Sequence, residues 1–290
     1  MKQHGYLGLD TGGFHRIAYT EWGKPGDEPD VLCVHGLSRN GRDFDYLAGA
    51  LQAKRHVICP DLAGRGRSDW LKDKQNYAFP TYCADLTALL ARLGGNSFDW
   101  IGTSLGGLIG IVMAAQANSP IRRLVINDAG PFISKAAPQR ILSYLGKAPA
   151  FVSLAAAERY FREVLAPYGA LRDEHWSHLT QHGVRKALGG GYQVAYDPGI
   201  AVPMRSARAL DVDMWELWDQ VRCPVLLLRG ANSDVLSRET AEEMCGRGPP
   251  TELVEFPDVG HAPALMSAEQ IDIVKNWLLA PGRPRRTKRA

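Results

Sequence analysis

Five cysteines in 290 residues form no C-x-x-C pair, no apolar run approaches the roughly 20 residues that span a bilayer, and no internal repeat or low-complexity segment interrupts the chain. Each absence removes something. Cys33 and Cys59 sit inside apolar, strand-like runs, so the cysteines read as buried, reduced thiols. The odd count and the lack of a basic-plus-apolar leader over residues 1–10 point to the cytoplasm, with no membrane anchoring. Charge of one sign is scarce too. The formal net charge is +3, and Arg283, Arg285, Arg286, Lys288 and Arg289 all fall in residues 281–290; without those five the balance is −2. A body so close to neutral offers no nucleic-acid face, and the basic tail reads as a solvated terminus.

The chain does hold material for a large core, with 45% hydrophobic and 22% charged residues. Short runs rich in β-formers read as buried strands: Val31–His35, His56–Cys59, Phe98–Ile101, Leu124–Ile126, Val225–Leu228 and Leu253–Phe256, with an antiparallel strand near Ala18–Trp22. Amphipathic stretches at Phe44–Leu51, Thr81–Leu93 and Glu239–Met244 lie between them. Such alternation predicts an α/β fold with a mostly parallel twisted sheet flanked by helices. From about Phe132 to Leu217 the rhythm breaks, while Ala155–Leu165 and Leu171–Leu188 look helical. The expected organisation is a core over 1–131 and 215–280, an inserted helical cap over 132–214, and a tail over 281–290.

One motif carries chemistry. Gly102-Thr103-Ser104-Leu105-Gly106 lies between the strand run ending at Ile101 and a helical stretch from Leu105, the setting of a strained turn that exposes a serine nucleophile. A nucleophilic Ser104 needs a base, an acid to orient that base, and N–H donors for the oxyanion. His261, in Gly260-His261-Ala262-Pro263 after the last strand, is the best placed histidine. Two acids compete to orient it. Asp234 lies in the polar turn after Val225–Leu228 and is preferred; Asp128, after Leu124–Ile126, is the alternative, its plainer reading being a turn aspartate. Leu105 supplies one oxyanion N–H, and Leu37, in His35-Gly36-Leu37, is placed to supply the second. His175, His178 and His182 share one face of a predicted helix, yet no carboxylate arrangement accompanies them, so no metal site is expected.

With these landmarks in order, together with Asp61-Leu62-Ala63-Gly64-Arg65-Gly66-Arg67-Ser68 and Asn127-Asp128-Ala129-Gly130-Pro131, the chain resembles the α/β-hydrolase fold family, in particular its cap-bearing soluble bacterial esterase-like members. The resemblance runs from about Tyr19 to Leu279. It implies Ser104 as nucleophile, His261 as base, Asp234 as orienting acid, and Leu37 and Leu105 as oxyanion donors. It also implies a small-molecule carboxylic ester or lactone as substrate and no cofactor, and leaves the oligomeric state open. Carbon–carbon bond hydrolysis of ring-cleavage products, cofactor-free acyl or perhydrolase transfer, and a ligand receptor are the alternatives it leaves. Arg39 is a potential partner for a substrate carboxylate, against the plainer reading of an exposed arginine. Tyr160 and Trp176, with Phe151, Phe161, Tyr168 and Tyr192, are candidates to line an apolar pocket, against simple packing.

Overall fold

Runs that are apolar on both faces can be buried only if helices cover both sides of the sheet they form. The computed structural model, which describes residues 1–136, 141–143, 145–206 and 211–281, builds that arrangement. The strands are β1 (Lys2–Asp10), β2 (Gly13–Trp22), β3 (Asp30–Val34), β4 (Val57–Pro60), β5 (Phe98–Thr103), β6 (Ile121–Asn127), β7 (Phe132–Ile133), β8 (Ala150–Phe151), β9 (Val184–Lys186), β10 (Tyr192–Val194), β11 (Val212–Asp213), β12 (Val225–Gly230) and β13 (Thr251–Phe256). Eight of them form the main sheet in the order β1-β2-β4-β3-β5-β6-β12-β13. The six from β4 to β13 in that order are parallel, and the β1–β2 hairpin lies antiparallel against β4 at one edge.

The strand period of two sorts the core into halves. Leu32, Val34, Ile58, Trp100 and Ile126 face one side, while Val31, Cys33, Val57, Ile101 and Val125 face the other. The first half packs under α2 (Phe79–Leu93) and α3 (Leu105–Ala114), and the second under α1 (Asp45–Leu51) and the terminal helix Ala268–Leu279. Each fully buried Leu, Ile or Val contributes roughly 1.5–3 kcal/mol of transfer free energy to this packing. β1 has no counterpart in the sequence expectation, because only Tyr6 and Gly8 of its nine residues are buried and the edge strand carries little apolar signal.

Between β6 and β12 the chain leaves the sheet. This interposed segment contains α4 (Leu154–Val164) and α5 (Asp173–Gly183) where helices are expected over Ala155–Leu165 and Leu171–Leu188, the second giving way to β9 at Val184, and it also contains a three-stranded sheet β8-β10-β9 and the pair β11-β7. The segment expected to be helical thus also carries short antiparallel strands, which at two or three residues are too short to show a period. The segment docks on loops that follow the carboxyl ends of the strands. Gly66 N–H donates to Ala195 O at 2.8 Å, Asp197 N–H to Gly64 O at 2.8 Å, and Gly260 N–H to Pro167 O at 2.7 Å. Of the cysteines, Cys33, Cys59 and Cys223 are buried as expected, Cys83 is half-buried and Cys245 is exposed; all five are free. The cationic tail residues Arg283 to Arg289 lie outside the described residues, and no described helix is long and apolar enough to cross a membrane.

Candidate active site

Ser104 stands between β5 and α3 at φ 52°, ψ −115°, a conformation that costs a non-glycine residue about 1–3 kcal/mol. Its flanking glycines make the turn possible. A Cβ on Gly102 would lie 2.2 Å from Gly106 O, and one on Gly106 would lie 2.0 Å from Val34 O, both far inside contact distance. The backbone is held on both sides of the serine: Ser104 N–H donates to Asn127 O at 2.9 Å, and Ser104 O accepts from Gly107 and Leu108 N–H at 2.8 and 3.0 Å. The hydroxyl is thereby presented at the carboxyl edge of the sheet.

His261, in the loop after β13, reaches that hydroxyl, with Nε2 2.9 Å from Ser104 Oγ. Its Nδ1 lies 2.8 Å from Asp128 Oδ2. A carboxylate only accepts, so Nδ1 carries the proton and Nε2 is left to accept from the serine. Asp128 is fully buried and adopts φ 58° at the end of β6. Its Oδ1 accepts from Gly230 N–H at 2.9 Å, and its Oδ2 accepts also from Ser233 O–H at 2.6 Å. Buried charge is tolerable here because each oxygen has donors.

The acid on His261 is therefore Asp128, which corrects the preference for Asp234. Asp234 is exposed in the turn after β12. β6 and β12 are neighbours in the sheet, so both turns end at the same level, and the β12 turn spends its Gly230 N–H and Ser233 hydroxyl on Asp128. The left-handed conformation at Asp128, which Asp tolerates better than most residues, points its carboxylate inward. The one available signal was an Asp in the turn just past the short apolar run Leu124–Ile126.

The loop holding Leu37 meets the same point. A Cβ on Gly36 would sit 3.7 Å from Ser104 Cβ. The loop is braced from behind: Arg65 Nε donates to Leu37 O at 2.8 Å, and His35 Nε2 accepts from Leu62 N–H at 2.9 Å while its Nδ1–H donates to Gly36 O at 2.7 Å. Burial pushes the His35 pKa down to about 3, so this histidine is a neutral strut. Leu105 is the first residue of α3, where helix N–H groups lack internal partners and the helix dipole is positive.

The three tentative substrate contacts are placed elsewhere. Arg39 is buried rather than exposed, and its guanidinium is engaged: Nε and Nη2 donate to Asp43 at 2.9 and 2.7 Å, Nη2 also to Leu179 O at 3.3 Å, and the group lies 5.3 Å from the Phe161 ring centre. It joins the core to the interposed segment instead of facing a ligand. Tyr160 packs between Phe151 and Phe161, and the buried Trp176 lies under Arg162. Nearer the serine, Phe44, Thr103, Tyr168, Leu179 and Pro263 bound a narrow cleft. A larger groove of about 620 Å³ lies between α2 and α3 and includes none of these groups.

Comparison with known proteins agrees with this geometry at the level of the fold. A family profile described as alpha/beta hydrolase fold matches residues 29–266. A 3-hydroxybutyrate-oligomer hydrolase from Cupriavidus necator is 41% identical over 277 residues, 93% of this chain and 94% of the relative. The solved structure of an alpha/beta hydrolase from Novosphingobium aromaticivorans is 35% identical with a TM-score of 0.84, covering 96% of this chain and 97% of the other. That of a Rickettsia typhi protein is 31% identical with a TM-score of 0.91, covering 97% and 100%.

Proposed function

This chain belongs to the α/β-hydrolase fold family of hydrolytic enzymes, and we propose that it is a serine esterase acting on carboxylic esters of short hydroxy acids. The observation that carries the reading is the continuous line from Ser104 Oγ through His261, 2.9 Å on one side, to Asp128, 2.8 Å on the other. In this reading Ser104 Oγ attacks the ester carbonyl as its proton passes to His261 Nε2, and the carbonyl electron pair moves onto oxygen. The N–H groups of Leu37 and Leu105 hold that oxyanion. Collapse of the adduct breaks the ester C–O bond, and the Nε2 proton goes to the departing alcohol. Water then repeats the sequence on the acyl-enzyme and releases the acid. Asp128 stabilises the imidazolium that forms twice per cycle. The chemistry asks for no cofactor.

Residues 132–214 act as the cap of this enzyme, and residues 1–131 and 215–280 as its core. The docking of the interposed segment on the Gly64–Gly66 and Gly260 loops supports that division. Open α/β sheets bind ligands at the edge it covers. The substrate class comes from the 41% identical relative, which makes soluble oligomers of 3-hydroxybutyrate the first substrates to test. Release of 3-hydroxybutyrate from its linear dimer and trimer, alongside p-nitrophenol from its butyrate ester, tests the reading. Turnover by wild type that falls at least about 10⁴-fold in Ser104→Ala is the expected result. Wild type inactive on every ester would overturn it.

A further inference from the structure

On the helix that carries His178 and His182 the nearest carboxylate on their face, Glu174, pairs with Arg172, and the fold brings another from a separate element. His178 and His182 are one turn apart on α5, and Asp45 opens α1 in the core. One donor atom of each lies within 4.8 Å of the others. His178 Nε2 is 3.7 Å from Asp45 Oδ2, and the two imidazole rings are 4.6 Å apart, edge to face. Two imidazoles and a carboxylate converging on one point are the ligand set of a tetrahedral zinc-type site, whose bonds of roughly 2 Å would need only small side-chain shifts from this spacing. Asp45 is buried and both histidines are half-buried, so all three are held by packing.

A cation already occupies part of this position. Arg42 Nε donates to both oxygens of Asp45, at 2.9 and 2.8 Å, while His178 Nε2 donates to Arg42 O at 2.8 Å. The neighbouring Arg39 and Asp43 neutralise each other, which leaves Asp45 with Arg42 as its counter-charge. The Arg42 side chain is 20% exposed and can swing into solvent. A divalent ion would then bring two charges where the guanidinium brings one. We propose that Asp45, His178 and His182 form a binding site for a divalent transition-metal ion of the zinc class, which displaces the Arg42 side chain from Asp45, replaces the hydrogen bond from His178 Nε2 to Arg42 O as the imidazole proton moves to Nδ1, and ties α5 to the core. A fourth position is left for water. The site would fasten the same helix whose Leu179 O and His182 O are held by Arg39 and Asn40 beside the Leu37 loop.

Titration of the untagged, metal-free full chain with Co²⁺, followed by its visible d–d absorption, tests the site, with Zn²⁺ added afterwards to displace it. Expected is saturation at one ion per chain, affinity at least about tenfold weaker in His182→Ala and His178→Ala, and tighter binding in Arg42→Gln. These variants leave Ser104, His261 and Asp128 untouched, and a thermal melt of each shows that it is folded. Absorption that is absent, indifferent to both histidine substitutions, or abolished by Cys245→Ser together with a thiolate charge-transfer band would overturn the proposal.

Discussion

Exchanging Asp128 for Asn changes one atom and leaves the shape of the site intact, so it isolates what the acid does. Asp128 Oδ2 accepts from His261 Nδ1 and Ser233 Oγ, and Oδ1 accepts from Gly230 N–H. An Asn must put its NH₂ on one side or the other. On the Gly230 side it sets donor against donor in a fully buried place, at a cost of about 1–3 kcal/mol. On the His261 side it obliges Nδ1 to accept, which moves the imidazole proton to Nε2, 2.9 Å from Ser104 Oγ, where it blocks proton removal from the serine. Loss of the correct tautomer in a serine triad costs about 10⁴-fold in kcat, equivalent to about 5 kcal/mol. Asp234→Asn, at an exposed position whose neighbour Ser233 bonds Asp128, should lose far less activity than Asp128→Asn, because Asp128 is the carboxylate on His261 Nδ1. Initial rates on p-nitrophenyl butyrate, with thermal melts to confirm folding, decide between them. Asp128→Asn within tenfold of wild type, or Asp234→Asn as crippled as Asp128→Asn should be, would refute the assignment.

Gly106→Ala would force a Cβ to 2.0 Å from Val34 O, so the variant should lose the elbow, seen as collapse of both thermal stability and soluble yield. A normal melt would show that the turn can move. Asp99, fully buried, holds Arg55 at 2.6 Å and Arg122 at 2.7 Å; Asp99→Ala leaves the Arg55 guanidinium buried without its carboxylate and should cost about 3–5 kcal/mol in denaturant unfolding. A cost below about 1 kcal/mol would contradict that. His35 refuses a proton until about pH 3, whereas the unfolded chain accepts one near the ordinary histidine value, so its contribution is present above about pH 6.5 and is lost as pH falls toward 3. By pH 5 the loss is about 2 kcal/mol. Burial pushes His182 down to about 4, which adds in the same direction, while Asp61, pushed up to about 6, loses stability as pH rises through that value. The readout is therefore the difference between wild type and His35→Gln over pH 5–7; parallel curves would refute the neutral-strut assignment.

The parallel sheet and the elbow were legible because both are local. Apolar runs of strand length separated by helical periods admit few architectures, and two glycines around a serine state that no side chain fits there. Ser104 and His261 follow from chain order along such a sheet. The acid does not, because Asp128 and Asp234 end adjacent strands, and the choice depends on one backbone angle and on the donors that the next turn contributes. Arg39 likewise reads as exposed in sequence and is buried in fact, its carboxylate partner lying four residues on and its ring partner far away on α4. The β1 edge and the two- and three-residue strands escaped because pairing to a distant partner, not side-chain pattern, defines them. His178 and His182 show a shared face in sequence, but the carboxylate that completes the cluster stands on α1, more than a hundred residues earlier, and only packing brings it near. What sequence alone determined is whatever sterics and hydrophobic period impose within a few residues; which side chains meet across the fold was decided by tertiary structure, since that depends on where separate elements come to rest.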